Sequence, residues 1–269
     1  RQPSITQLQD VLDRSNTPYL YKGNAALKQE FSNNFTVGYN FFDIVKFRNL
    51  FAFVTFNTTA NRIANSVTIN PDGTQLTMPV NLNGAYTLTG NFNIGFPIKK
   101  MKGGNFNTTT RIIMNRDPSL YKDQKNYTRN LSIGEDLRLN YNYKEKLDLG
   151  ITASINYNSV TYSNPTQFNQ DQSYFTHTYS ADITYSFNKG FILSTDFDYT
   201  FNTGRTSGYN RNYALWNAGF AKQVFKNKRG EIKASVFDIM NQNTSVIRNV
   251  GANYIEDVRN TTLQRFFSL

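Results

Sequence analysis

The chain has no cysteine, one tryptophan and one histidine, His177. Without cysteine it can hold no disulfide framework, no thiolate-ligated zinc or iron–sulfur site and no thiol nucleophile. A single histidine leaves little room for a multi-histidine metal site or for a histidine-based proton relay. We therefore expect no catalytic residue, no metal site and no cofactor.

Long hydrophobic runs are also missing. The mean hydropathy is −0.54, and no stretch approaches the roughly 18 uninterrupted apolar residues of a membrane helix. Helical spans are thereby excluded, whereas a transmembrane β-barrel is not, because its apolar residues alternate with polar ones. Since 39% of the residues are hydrophobic and 15% aromatic, their positions decide the fold class.

Apolar side chains recur at every second position in several long segments, such as residues 149–157 and 191–201. The positions between them carry Asn, Thr, Ser and Gly with an occasional Asp or Arg. A period of two is the pattern of an extended strand with one apolar face. The outer face of a soluble sandwich tends to be rich in Lys and Glu, whereas small neutral polar side chains suit a wet lumen.

We predict an all-β fold, a transmembrane antiparallel up-and-down β-barrel. The strands are longer than the mode of about 5 to 6 residues and suffice for the roughly 9 to 11 tilted residues that cross a bilayer. About eleven strands are predicted, near residues 31–42, 48–57, 84–98, 104–115, 129–143, 147–162, 173–188, 190–203, 211–226, 231–241 and 261–269.

Short and long connections alternate along the chain, as in outer-membrane barrels with tight periplasmic turns and long extracellular loops. The short ones are predicted at residues 44–47, 99–103, 144–146, 189 and 227–230, and the long ones at 58–83, 116–128, 163–172, 202–210 and 242–260.

The short turns hold a large share of the basic residues that give the chain its net charge of +10. Such a row of cations would face outer-membrane lipid headgroups at one rim, although any water-exposed turn can carry lysine. Because the cations are not interleaved with aromatics on one strand face, we expect no nucleic-acid partner. The turn cations are Lys46, Lys99, Lys100, Lys102, Lys144, Lys146, Lys189, Lys226, Lys228 and Arg229.

Residues 1–30 lack clean alternation and are predicted to be an extracellular loop segment before the first strand. The chain opens at Arg1 without an initiator Met or a signal peptide, which is typical of a piece of a longer precursor. An odd number of strands would also leave the chain ends on opposite rims, whereas single-chain bacterial barrels have even counts.

Two segments carry a family resemblance. Residues 2–9, Asp13-Arg14-Ser15-Asn16 and residues 23–30 resemble the mid-barrel segment of TonB-dependent receptors, where Gly-Asn-Pro-x-Leu-Lys-Pro-Glu precedes a strand. Here Ala25 and Gln29 replace both motif prolines, which removes their fixed φ. Residues 222–225, 236–243 and 263–269 resemble the closing strands of the same barrels. The likeness is strongest to the subgroup described as an outer-membrane β-barrel family, whose chains continue a few residues beyond Leu269.

The resemblance implies a barrel of 22 strands, with residues 31–269 as its C-terminal half. The remainder of the same receptor, a plug domain and the N-terminal barrel half, would be a partner. The TonB energy-coupling complex would be a second partner, through the absent N-terminal region. A surface lipoprotein would be a third. The implied function is energy-coupled import of a scarce nutrient such as a metal chelate, a peptide or a glycan. The alternatives are a passive porin, a structural barrel within a larger assembly, or a hydrolase dependent on His177.

Ligand contacts of such a receptor should come from the long loops and from inward residues near the outer rim. Tyr and Arg there offer stacking surfaces and charge-assisted hydrogen bonds. Asp182, Asp196 and Asp198 are predicted to be lumen charges paired with residues such as Arg138 or with the plug, and His177 to be an interfacial ring. The candidate ligand-binding residues are Arg116, Asp117, Tyr121, Tyr162, Asn164, Phe168, Asp171, Tyr174, Arg205, Tyr209, Arg211, Tyr213, Arg248 and Tyr254.

Overall fold

The computed structural model describes residues 1–165, 170–204, 210, 212–225, 227, 229–250, 255–260 and 262–269. Across these residues the chain is almost entirely β-structure, with a four-residue helix α1 at Ile5–Leu8 and a 3-10 turn at Asn188–Gly190. No helix in this part of the chain is long and apolar enough to cross a bilayer.

The strands are β1 (Leu12–Asp13), β2 (Tyr19–Lys22), β3 (Phe31–Asp43), β4 (Arg48–Ala60), β5 (Arg62–Ile69), β6 (Gln75–Leu82), β7 (Ala85–Pro97), β8 (Gly104–Tyr121), β9 (Gln124–Tyr143), β10 (Leu147–Tyr162), β11 (Gln172–Ser186), β12 (Phe191–Thr203), β13 (Tyr213–Val224), β14 (Gly230–Phe237), β15 (Ser245–Val250), β16 (Ile255–Asn260) and β17 (Phe266–Ser268).

Eleven of these strands form one antiparallel meander in the order β3-β4-β7-β8-β9-β10-β11-β12-β13-β14-β17. They correspond one to one to the eleven predicted strands, so the all-β prediction is confirmed. The last strand is much shorter than the predicted 261–269. Among the described strands, β3 pairs only with β4 and β17 only with β14, and the sheet therefore has two open edges.

The register of the meander separates an outer, apolar face from an inner, polar face, as the alternation predicts. Cross-strand partners share a face, so the side chains of one row point to the same side of the sheet. On the outer face one row is Leu139, Ile151, Ala181, Phe197 and Trp216, and on the inner face the next row is Asn140, Gly150, Asp182, Asp196 and Asn217.

The predicted loop 58–83 is mostly strand, since it contains the β5–β6 hairpin. This hairpin is joined to β2 by parallel pairing of β6 and to the end of β8 by parallel pairing of β5. Many of the buried side chains lie here, where the hairpin and the neighbouring loops stack on the ends of the meander strands. They include Glu30, Ser66, Val67, Leu82, Ala85, Ser119, Asn126 and Thr128.

The prediction of a loop at residues 116–128 is also wrong. β8 and β9 extend through it and join at a two-residue turn, Lys122 and Asp123, which both have positive φ (48° and 63°). Such turns match the twist of the flanking strands. Pro118 pairs with Tyr127 inside the ladder.

Two further predicted connections contain regular structure. Residues 242–260, predicted as loop, hold the β15–β16 hairpin, which forms a separate two-stranded sheet. Residues 1–30 contain α1, capped by Ser4 through a capping box with Gln7, and the short strands β1 and β2. The predicted loops 163–172 and 202–210 lie partly outside the described residues.

Candidate functional site

Three predicted ligand residues, Arg116, Asp117 and Tyr121, come together at the end of β8, beside β5. They are therefore in a strand and not in a loop. The Arg116 guanidinium lies 3.8 Å above the centre of the Tyr127 ring, a cation–π contact. The Arg116 Nε is buried without a hydrogen-bond partner. Gly84, with φ of 99°, makes room for both side chains, since a Cβ there would lie 3.2 Å from the Tyr127 ring.

Ion pairs of Arg62 connect this cluster to Glu30, at the end of residues 1–30. Arg62 lies 3.5 Å from Glu30 and 3.8 Å from Asp117. The Glu30 carboxylate is 4% exposed and accepts a hydrogen bond from the Ile63 backbone N–H at 2.8 Å. A buried carboxylate needs such partners, so Glu30 acts as a structural anchor for β5. Asp117, which is 54% exposed, is accessible to a ligand.

A second group of predicted residues is engaged in holding the loop after β10. The Asp171 carboxylate accepts from the Tyr162 backbone N–H at 2.8 Å, and the Asn164 side chain donates to the Lys125 carbonyl at 2.5 Å. Tyr162 is only 6% exposed. Tyr162, Asn164 and Asp171 therefore position the loop on the β8–β9 hairpin.

Tyr174 and Tyr213 lie on the inner face near the same rim, since Tyr174 pairs with Asn158 and Tyr213 with Thr200. They face the same side as the predicted lumen. Arg248 belongs to β15, of which the backbone alone is described. The remaining predicted residues lie outside the described residues; they are Phe168, Arg205, Tyr209, Arg211 and Tyr254.

The inner face carries a ladder of charged and amide side chains. Arg111 lies 2.5 Å from Asp136, and Arg138 lies 3.3 Å from Asp182, which confirms the predicted pairing. Asp196 accepts from the Asn217 amide at 2.6 Å. Within the described residues no group of three or more His, Cys, Asp or Glu side chains is placed to hold a metal ion.

An apolar group on the inner face was missed by the sequence analysis. We call it the inner apolar patch: Phe42, Phe51, Phe53 and Ile113, which are 62%, 39%, 43% and 46% exposed. Phe51 and Phe53 pair with Asn93 and Asn91 and so face the lumen side. The sequence does contain a signal for this patch, because residues 50–54 are apolar without interruption. A strand with such a run is apolar on both faces.

Phe53 and Ile113 line a shallow depression of about 210 Å³ that also includes Arg111. The Phe53 ring covers Gly38 on the neighbouring strand, where a Cβ would lie 2.8 Å from the ring. Phe42 lies on the inner face although Phe41 lies on the outer one, because adjacent residues of a strand point to opposite faces.

His177 and Glu135 are ionisable side chains that lie among the apolar residues of the outer face. His177 stacks on Phe201, with ring centres 4.4 Å apart and planes at 9°, as expected for an aromatic ring on the apolar face. Its Nδ1 is buried without a hydrogen-bond partner. Glu135 lies two strands away and accepts hydrogen bonds from the hydroxyls of Thr108 and Thr110.

The molecule thus presents a charged, aromatic rim, a polar inner wall with one apolar patch, and an apolar outer face. A polar inner wall behind an apolar outer face is the pattern of a transmembrane β-barrel. No curated protein matches the chain. A family model described as "Outer membrane protein beta-barrel family" matches it over residues 1–116 and 101–269. With the eleven-strand meander and its two faces, this match shows that the chain belongs to that outer-membrane β-barrel family.

Proposed function

We propose that the chain is part of a TonB-dependent transporter that imports a scarce nutrient across the outer membrane by energy-coupled uptake. In this proposal the meander is the C-terminal half of a 22-stranded barrel, and the strands that complete it pair with the open edges of β3 and β17. The mid-barrel and closing-strand motifs of the sequence support this division. A metal chelate, a peptide and a glycan are all suitable cargo.

The inner apolar patch is the observation that carries the proposal. A passive porin has a polar, water-filled lumen, and exposing apolar surface to that water costs about 25 cal/mol per Å². Phe51 and Phe53 lie side by side on the lumen side. A plug domain inside the barrel would cover them, whereas an open pore would not.

The rim supplies the ligand contacts in this proposal. Arg116 over Tyr127, the exposed Asp117, and the inner-face Tyr174 and Tyr213 place cationic, acidic and aromatic groups at the same rim. The proposal involves binding and release and no covalent step. The stacking of His177 on the outer face supports this, because the ring is directed away from the lumen.

The test uses the full-length receptor in its native host, grown on the limiting nutrient. Uptake should fall to background when the energy-coupling protein is deleted, because release from the plugged barrel needs that energy. Uptake that persists after the deletion would establish a passive porin instead. A complete gene with no plug-coding region upstream of these strands would also overturn the proposal.

A second experiment tests whether a plug domain contacts the inner apolar patch. Phe51→Ser with Phe53→Ser should open a leak, measured as increased entry of a large hydrophilic antibiotic, because the plug loses its apolar contact. The matched control is Thr55→Ser, which changes the next inner-face position of the same strand without removing an aromatic ring. An unchanged leak in the double variant would contradict a plug seated on this patch.

A further inference from the structure

A cavity of about 790 Å³ lies at the short-turn rim, between the turn that joins β3 to β4 and the turn that follows β7. Its volume is in the range of sites that hold a drug-sized ligand. Its lining is Phe41, Val45, Lys46, Phe47, Arg48, Asn49, Leu50, Ile94, Gly95, Phe96, Pro97 and Lys99.

One wall of the cavity is the outer face of the sheet. Phe41, Leu50 and Ile94 are cross-strand neighbours in a single row, and all three face the apolar side. Phe96 continues this wall, with its ring centre 5.5 Å from that of Phe106. The wall is a continuous apolar strip that runs from the membrane-facing surface to the turn.

The other wall is formed by the two turns and is cationic. Arg48 is neutralised by Asp43, with an N–O distance of 3.0 Å. Within the described residues neither Lys46 nor Lys99 forms an ion pair, so the mouth of the cavity holds two further positive charges beside the single carboxylate of Asp43. Val45 and Phe47 project beside them and are 87% and 72% exposed.

Apolar surface next to an excess of positive charge is the complement of an anionic amphiphile. We propose that this cavity binds one anionic glycerophospholipid, with an acyl chain along Phe41, Leu50 and Ile94 and the phosphate between Lys46 and Lys99. The short turns of outer-membrane barrels lie at the periplasmic rim, where the neighbouring leaflet is phospholipid. The site is separate from the transport function and does not depend on it.

The purified protein in detergent is incubated with phosphatidylglycerol or with phosphatidylcholine of the same acyl chains, and bound lipid is counted by native mass spectrometry. One phosphatidylglycerol should be retained in preference to phosphatidylcholine. Lys46→Gln and Lys99→Gln should each weaken retention about fivefold, as expected for the loss of one cation near an anionic lipid. Phe47→Asn, which tolerates the positive φ of 49°, should weaken it through the lost apolar contact.

The matched controls are Lys100→Gln and Lys102→Gln. These lysines belong to the same turn as Lys99 and carry the same charge as Lys99, but neither lines the cavity. Equal weakening by the control variants, or equal retention of the two lipids, would overturn the proposal in favour of diffuse attraction to the rim. Complete displacement of the lipid by inorganic phosphate would overturn it as well, since it would show an anion site without an acyl-chain contact.

Discussion

At the scale of single residues, Glu135 shows how the protein keeps a carboxylate on its apolar face. The side chain lies between Ile133 and Leu137 on the outer face of β9, where acidic groups are unfavourable in a bilayer. Thr108 and Thr110 on β8 donate one hydroxyl to each carboxylate oxygen. The group is thus tolerated because its two oxygens have local donors.

Replacing Thr110 with Val should therefore lower the free energy of unfolding by about 1–3 kcal/mol, the cost of leaving a partly buried acceptor without its partner. The measurement is denaturant unfolding in lipid vesicles, followed by the fluorescence of the single tryptophan, Trp216. The control replaces the whole cluster, with Thr108→Val, Thr110→Val and Glu135→Leu together. The triple variant should be near neutral or more stable, because both sides of each hydrogen bond are removed. A triple variant less stable than Thr110→Val would contradict this explanation.

Asp238 is a fully buried carboxylate near the end of the meander. It is 0% exposed, and its two carboxylate oxygens accept from the backbone N–H groups of Gln242 and Asn243, each at 3.0 Å. Its own backbone N–H donates to the Asn217 side chain at 2.8 Å. The Asp238 side chain therefore closes the turn after β14, and its backbone N–H joins this turn to Asn217 on β13.

We expect Asp238→Ala to destabilise the protein by roughly 2–3 kcal/mol, because two hydrogen bonds to a charged group are lost. Asp238→Asn should cost less, since Asn keeps one acceptor and tolerates the φ of 51°. Urea unfolding curves of both variants test this order. Equal stability of the Ala and Asn variants would contradict the role of the acceptors.

At the scale of elements, the short turns were predictable and the loops were not. The turns at 44–47, 99–103 and 144–146 interrupt a period of two with charged residues, and the structure confirms them. The β5–β6 hairpin was missed although Leu76, Met78, Val80 and Leu82 alternate, and Pro79 within this run is a residue that sheets disfavour. A proline is tolerated in β6 because tertiary context overrides the local preference.

The turn after β3 depends on the charge of Asp43. The Lys46 backbone N–H and the Arg48 side chain both donate to this carboxylate, and these bonds hold its pKa below the ordinary value of 3.8. Because the folded-state pKa is lowered, the stabilisation is complete above pH 3.8 and is lost as the pH falls through the folded-state value.

Hydrogen exchange of residues 44–47, corrected for intrinsic rates, should therefore accelerate as the pH falls below about 4, the ordinary Asp value. The turn at 144–146 of the same molecule serves as the internal reference. In Asp43→Asn the acid-dependent change should disappear. A pH response that persists in this variant would show that another group controls the turn.

At the scale of the whole molecule, the sheet has an apolar outer face and no second layer of described residues to cover it. Exposed outer-face side chains run the length of the meander, from Phe35 on β3 to Phe220 on β13. In water this surface would associate with itself, whereas the hydrocarbon of a bilayer covers it. The outer-membrane location of the family fits this surface.

Because the natural chain has no cysteine, single-cysteine variants map the two faces without background. In the membrane-embedded protein, Thr152→Cys on the inner face should react with a water-soluble maleimide. Ile151→Cys, its neighbour on the outer face, should be protected from that reagent and accessible to a lipid-soluble one. Equal reaction of both variants with the water-soluble reagent would contradict the embedding of the sheet.

The amino-acid sequence by itself determined the eleven-strand meander, its two faces and its short turns, because period-two alternation and turn residues act over a few neighbouring positions. Only the tertiary structure decided which distant residues meet. Arg62 reaches Glu30 and Asp117, and Lys46 shares a cavity with Lys99, because strand register and loop stacking bring them together. Those contacts depend on the arrangement of whole strands, which no local pattern encodes.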